Sequence, residues 1–237
     1  MIDFYYWPTP NGWKVAILLE ELGIDYRMKP VNIGAGEQFA PEFLKISPNH
    51  RMPAIVDHDV AGDPVTIFES GAIMYYLADK TGRFMPSDPL GRKETLEWLF
   101  WQVGNQGPMA GQLSHFVNYA PEDQVYGRER YLKEYDRCLG VLERRLEDGR
   151  SYILGEDYSI VDMISWPWVL IAKPLTASLD PFPKVAAWRL RVKERPAVQR
   201  GVDLGKDLRR SGPPSDAERK VLFGQTSASV SAHGKTS

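Results

Sequence analysis

The sequence predicts two halves of different build: an α/β domain over residues 1–83 and an all-helical domain over 90–210, followed by a flexible tail over 211–237. Three observations carry this. The first third alternates short β-rich runs with helical patterns. Everything after about Leu90 repeats its apolar residues at helical spacing. From about Ser211 the composition shifts to Ser, Pro, Gly and Lys, which cannot supply a buried face. A chain of 237 residues has room for two ordinary domains.

Taken in order, Ile2 to Tyr6 reads as a strand, and Val15, Leu18, Leu19 and Leu22 form one face of a helix that stops at Gly23. Tyr26 to Asn32 is a second strand, so the three elements make a βαβ unit with parallel strands. After a Gly- and Pro-containing loop from Gly34 to Pro48, Ala54 to Asp57 and Val65 to Phe68 are strands close enough to pair antiparallel around Gly62-Asp63-Pro64. A helix then runs from Glu69 to about Lys80, with Gly82 beyond its end. The order β, α, β, then β, β, α is the thioredoxin-like arrangement. In the helical half, Leu96, Leu99, Phe100 and Val103 form a stripe, and a long helix spans about Tyr126 to Asp148. Ser159 with Asp162 is a capping box ahead of an apolar-all-round segment that should be the buried central helix. Val185, Trp188 and Val192 mark a further helix that ends before Pro196.

Composition excludes several classes. With 43% hydrophobic and 25% charged residues the chain matches neither collagen-like, disordered nor membrane proteins. A net charge of -2 offers no bulk attraction to nucleic acid or anionic lipid. The N-terminus lacks the basic segment and apolar run of an export signal, and no stretch is long enough to cross a bilayer, so the expected location is cytoplasmic. The single cysteine, Cys138, excludes an internal disulfide and a multi-Cys metal site, and no metal is expected. It shares a helical face with Tyr131, Tyr135, Leu139, Leu142 and Leu146, which makes it a small buried hydrophobe. Sulfur chemistry would therefore need a thiol from outside.

Three features could use such a thiol. Thr9-Pro10-Asn11-Gly12 opens the first helix, where unpaired N–H groups and the helix dipole favour an anion, and where Thr9 and Asn11 can donate hydrogen bonds to a ligand's sulfur. A cis Met52-Pro53 bond would turn the Met52 N–H and C=O toward an extended peptide. Glu69-Ser70, at the start of a helix, can pair with an ammonium and a carboxylate, the two groups of an α-amino-acid end. Placed together at the ends of one sheet, these features describe a site for the tripeptide γ-glutamyl-cysteinyl-glycine.

That set, with Ser159-Ile160-Val161-Asp162 in the helical half, resembles the glutathione transferase superfamily over about Met1 to Leu208. Thr9-Pro10-Asn11-Gly12, Gly36-Glu37-Gln38-Phe39, Ser47-Pro48-Asn49, Pro53-Ala54-Ile55-Val56-Asp57-His58, Phe68-Glu69-Ser70-Gly71-Ala72-Ile73 and Leu99-Phe100-Trp101-Gln102-Val103-Gly104 are similar to the bacterial Nu class and to the yeast nitrogen regulator with a transferase-like domain. The resemblance implies the glutathione transferase fold, with Thr9 and Asn11 flanking the sulfur of glutathione. It implies that Met52, before Pro53, pairs with the cysteinyl backbone, that Glu69 and Ser70 hold the γ-glutamyl end, and that Gln38 and Arg51 lie near the tripeptide. Arg130 would reach the carboxylate of a second glutathione. The chain departs from the class in having Arg51 for a lysine and Met52 for a branched aliphatic. Tyr5 and Tyr6 are rival activating groups, but strand alternation sends them to opposite faces and at least one into the core.

The activity so implied is thiol–disulfide exchange by one or two glutathione molecules, reduced or as the disulfide, on a small disulfide or electrophilic substrate, with transferase or peroxidase reactions open to the same thiolate. A non-catalytic glutathione-binding regulator or carrier is the second reading. A translation-factor or chloride-channel-like scaffold is a third, for which no basic patch speaks. The resemblance also implies a homodimer. Trp7, Phe116, Tyr119 and Trp166 would meet an apolar substrate if they face the cleft.

Overall fold

A computed structural model of the chain describes residues 1–209 and 212–227. Its sheet is built around β1 (Ile2–Tyr6), with β2 (Tyr26–Pro30) parallel on one side and β3 (Ala54–Asp57) antiparallel on the other. β4 (Val65–Phe68) pairs antiparallel with β3, giving the order β2-β1-β3-β4. Alternation decides the faces: Ile2, Phe4 and Tyr6 are buried beneath a helix, while Tyr5 points the other way and packs on Phe43. β2 ends two residues earlier than the sequence predicts. The Asn32 side chain accepts hydrogen bonds from the N–H groups of Gly34 and Ala35, which commits the chain to a turn.

The first helix, α1 (Pro10–Leu22), has Thr9 as its N-cap and Pro10 in its first turn, and it ends on Gly23 in the left-handed region at φ 67°. The loop that follows β2 carries a short helix, α2 (Pro41–Leu44), and α3 (Ser70–Thr81) follows β4 directly. The observed order is the predicted β, α, β, β, β, α with the short α2 added in the loop between β2 and β3.

The helical half opens with α4 (Pro89–Trp101), capped by Asp88, which passes through a π-helical turn over Gln102–Gln106 into α5 (Gly107–Asn118). Then come α6 (Val125–Arg145), α7 (Ile160–Leu170), α8 (Pro183–Lys193) and α9 (Pro196–Asp203). Every residue from Ile160 to Val169 is buried, so α7 is the central helix. Its capping box is present, and Asp162 also accepts hydrogen bonds from the Ile153 N–H and the Trp188 indole, 2.9 Å each. α1 packs against both α7 and α9, so the two halves share one core. At Gly201 a Cβ would lie 2.8 Å from the Ile17 backbone, and the close approach of α9 to α1 depends on its absence. Cys138 is fully buried in α6, and burial pushes its thiol pKa up.

Part of the segment expected to be a tail is described. Residues 216–223 form α10 (Asp216–Phe223), with a capping box from Ser215 and Glu218. The Phe223 ring lies 4.7 Å from His115 and 5.0 Å from Tyr119, and Arg219 donates to the Tyr119 carbonyl. Val221, Leu222 and Phe223 give a polar segment enough apolar surface to dock on α5. Residues 210–211 and 228–237 lie outside the described residues.

Candidate functional site

A cleft of about 350 Å³ opens where the end of the sheet meets α5 and α7. Asn11, Arg51, Met52, Pro53, Glu69 and Ser70 all line it, so the structure brings together six of the nine residues singled out in the sequence.

Asn11 sits in the first turn of α1, where a close approach is built in. A Cβ on Gly12 would lie 2.3 Å from the Trp7 carbonyl oxygen and 2.8 Å from the Tyr6 ring, so only glycine lets the turn fold back on β1. The indole N–H of Trp168 donates to Asn11 Oδ1 at 3.2 Å. An indole can only donate, which assigns the amide oxygen to Trp168 and leaves Nδ2 as the donor available to the cleft. Thr9 is differently employed: its hydroxyl accepts from the Gly12 N–H at 3.3 Å and faces Met52 Sδ at 4.0 Å. It lines a neighbouring cleft of about 590 Å³, shared with Trp7, Trp13, Tyr119, Arg209 and Leu222.

The Met52-Pro53 bond is cis, as the sequence position predicts. The Met52 N–H and C=O have no hydrogen-bond partner among the described residues, and the Ser47 hydroxyl donates to the Arg51 carbonyl at 2.7 Å, holding the turn. An extended ligand can therefore pair with Met52 as an added strand would. Glu69 adopts φ 71°, a costly conformation for a residue with a side chain, and accepts from Asn49 Nδ2 at 3.3 Å. α3 has no side-chain N-cap, so its first N–H groups and the buried Ser70 form an anion-receptive end beside the Glu69 carboxylate.

Gln38 and Arg130 stand apart. Gln38 is buried, its Nε2 donates to the Ile33 carbonyl at 3.2 Å, and its Oε1 is buried without a partner. Arg130, on α6, lines a separate cleft with Phe116 and Tyr131 and lies 3.9 Å from Glu134. The rival phenol of Tyr6 is fully buried and donates to the Leu204 carbonyl at 3.0 Å, and burial pushes its pKa up, so it cannot act as an activating group in the cleft. Trp166 is core, with its indole bound to the Arg189 carbonyl, whereas Trp7 and Tyr119 do face the neighbouring cleft.

Among the lining residues that sequence reasoning missed, Trp168 and Lys14 bear on the chemistry. Trp168 is distant in sequence, but Lys14 had left a signal: it shares the α1 face of Leu18 and Leu22, three residues on from Asn11. Lys14 is 2% exposed, its Nζ donates to Gln102 Oε1 at 2.8 Å, and burial lowers its pKa to about 7. A shift of that size costs roughly 5 kcal/mol. Burial of Val15, Leu18, Leu19 and Leu22 on the same helix, at about 1.5–3 kcal/mol each, outweighs it.

Comparison with known proteins places this geometry. The family model of the glutathione S-transferase N-terminal domain matches residues 1–79, and that of the C-terminal domain matches residues 126–191. The chain is 50% identical over 200 residues to the disulfide-bond oxidoreductase YfcG of Escherichia coli K12, covering 84% of this chain and 93% of that protein. A glutathione transferase from Burkholderia graminis, solved with two glutathione molecules per subunit, superposes with TM-score 0.82 at 44% identity, covering 86% of this chain and 88% of that one. One from Pseudomonas putida, with one glutathione disulfide per subunit, gives 0.80 at 40% identity, covering 86% and 91%.

Proposed function

The chain belongs to the glutathione transferase family, and from that premise we propose that it is a glutathione-dependent thiol–disulfide oxidoreductase. The observation that carries the reading is the Asn11 amide, turned by Trp168 so that it donates into a cleft at the head of α1. The chain's own sulfur is out of reach: Cys138 is buried in α6 and does not line the cleft. Bound glutathione supplies the thiolate that attacks a disulfide, and a second glutathione resolves the mixed disulfide.

The protein's residues bind and orient. The Asn11 amide donates to the sulfur, the Thr9 hydroxyl can do so only by turning away from Met52 Sδ, and the dipole of α1 favours the ionised form. The Met52 backbone pairs with the cysteinyl residue. Glu69 takes the γ-glutamyl ammonium, and Ser70 with the open end of α3 takes its carboxylate. Arg51 faces the glycyl carboxylate as a cation at the cleft's rim. Gln38 supports the loop beneath the tripeptide. Arg130 is assigned to a second glutathione, a role supported by the two molecules bound in the Burkholderia relative. Holding two thiols in line would contribute through effective concentration. The same thiolate can attack an electrophilic carbon or a peroxide, so transferase and peroxidase turnover are expected beside the main activity.

A homodimer in the cytoplasm completes the reading. An apolar cleft lined by Gly71, Ala72, Tyr75, Leu96 and Phe100 lies between α3 and α4, with Phe100 69% and Phe68 37% exposed beside it, which suits a second copy of the chain. The cytoplasmic glutathione pool would supply the reductant. No helix among the described residues is long and apolar enough to cross a membrane. Sedimentation of the wild type and of Phe100→Asp tests the dimer, which the charged variant should weaken.

Calorimetry with reduced and oxidised glutathione, followed by turnover of hydroxyethyl disulfide, tests the function. Affinity with turnover is expected. Affinity without turnover would make the protein a regulator or carrier, and no uptake of either form would end the proposal.

A further inference from the structure

We infer that Lys14 is the countercharge of the bound thiolate, a buried cation for which the ligand's sulfur provides the anion. The inference rests on the proposed glutathione site and deepens it. Three other shielded cations of the fold are paired with carboxylates, Lys80 with Asp57 at 2.6 Å, Arg195 with Glu21 at 2.6 Å and Arg145 with Glu94 at 2.5 Å, while the half-buried Arg189 donates to the Leu170 carbonyl. Lys14 is more deeply buried than any of these. Its Nζ has one hydrogen bond, to the neutral amide oxygen of Gln102, and no carboxylate oxygen within 4.0 Å among the described residues. A buried cation left so is expensive unless its partner arrives from outside.

A purely structural tie between α1 and the helical half would account for Lys14 poorly. Gln102 Nε2 is buried with no partner, so the pair is not a closed polar network, and two apolar side chains would join the halves at lower cost. Gln102 also opens the π-helical turn, a local widening that recurs at functional sites. Position points to the sulfur. Asn11 and Lys14 are three residues apart on α1 and line the same cleft, so the amine lies one helical turn from the amide assigned to the sulfur.

The charges around Lys14 leave room for this role. From α3, Glu69 acts on it across the cleft without contact, and that carboxylate is committed to the ligand's ammonium. Arg51, an exposed cation, lines the same cleft. The charged groups at the far end of α1 pair elsewhere, Glu20 with Arg200 of α9 and Glu21 with Arg195. From α7, Asp162 is held by Ser159, Ile153 and Trp188, and β1 brings Asp3, which pairs with Arg27. Burial lowers the Lys14 pKa to about 7, so the amine is partly neutral at neutral pH. When the glutathione S–H bond breaks, its proton leaves the sulfur, a N–H bond forms at Nζ, and the cleft holds one anion and one cation with no change in net charge.

The test is an ultraviolet titration of the thiolate of glutathione bound to wild type, Lys14→Met and Gln102→Glu, with calorimetry of S-methylglutathione, which has no ionisable thiol. In wild type the bound thiol should titrate below the free one. Lys14→Met should raise that pKa by roughly one unit or more, a tenfold smaller thiolate fraction. S-methylglutathione should bind wild type and Lys14→Met within about twofold. Gln102→Glu places a carboxylate beside Nζ, so it too should raise the thiol pKa, and it carries the test if Lys14→Met does not fold. An unchanged thiol pKa in the variants overturns the inference, as does S-methylglutathione weakening as much as glutathione, which would give Lys14 to a carboxylate. Failure of wild type to bind glutathione at all would instead overturn the proposed function.

Discussion

Replacing Trp168 with Phe removes one N–H from the protein and leaves most of the ring in place, yet it should be felt at the sulfur. The lost bond is the 3.2 Å contact from the indole to Asn11 Oδ1, beside a ring that is 7% exposed. A neutral hydrogen bond of this kind is worth about 1 kcal/mol net, or roughly fivefold. Without it the Asn11 amide is free to turn its carbonyl toward the sulfur, where it repels a thiolate. Asn11→Ala sets the ceiling, because a hydrogen bond to a charged group contributes about 1.5–3 kcal/mol, or roughly 10- to 150-fold. The assay is kcat/KM for hydroxyethyl disulfide at fixed glutathione, with a thermal melt to confirm that each variant is folded. Trp168→Phe should lose roughly fivefold, and the double variant should match Asn11→Ala within about twofold, since Trp168 acts through Asn11. Full activity in Trp168→Phe, or losses that multiply in the double variant, would refute the assignment of the amide.

Tyr6→Phe should leave turnover unchanged and lower stability by about 1 kcal/mol in urea unfolding, because the hydroxyl donates to the Leu204 carbonyl in the core and not into the cleft. A larger effect on turnover than that of Asn11→Ala would return the activating role to the phenol. Lys80→Met should cost about 2 kcal/mol at pH 7 by breaking the bond to the buried Asp57. Burial pushes the Asp57 pKa up, but hydrogen bonds from Lys80, the Asp59 N–H and the Tyr76 hydroxyl outweigh it and leave the carboxyl below its ordinary range. A depressed folded pKa stabilises above the unfolded value and loses that contribution as pH falls through the folded one. The wild-type advantage in melting temperature should therefore shrink below about pH 4; an advantage independent of pH would contradict the pairing. Ending the chain after Pro214 removes α10 and the Leu222 wall of the 590 Å³ cleft. Glutathione affinity should hold while KM for bulky apolar disulfides rises severalfold, and an unchanged KM would show that this cleft does not receive them.

The sequence alone determined what depends on residues within a few positions of one another. Alternation in Ile2 to Tyr6, the helix start at Thr9-Pro10-Asn11-Gly12, the Ser159–Asp162 box and the cis proline at Met52-Pro53 are local rules, and each element they predict is present. Those rules also carried Asn11, Met52, Glu69 and Ser70 to one cleft, because the ends of a βαβ-ββα sheet converge there. Tertiary structure decided the rest. The face of the Asn11 amide is chosen by Trp168, 157 residues away, and no local pattern can state which end of a side-chain amide is already bonded. Lys14 shares the apolar face of α1 in the sequence, but its partner, Gln102, is 88 residues away and is supplied only by the packing of the helical half. Arg130 is kept outside the cleft by the course of α6, and the apolar end of α10 acquires a partner only because His115 and Tyr119 of the α5 end lie opposite it. Hydrogen-bond direction and burial are properties of neighbours brought together by packing, so they are settled only when the two halves meet.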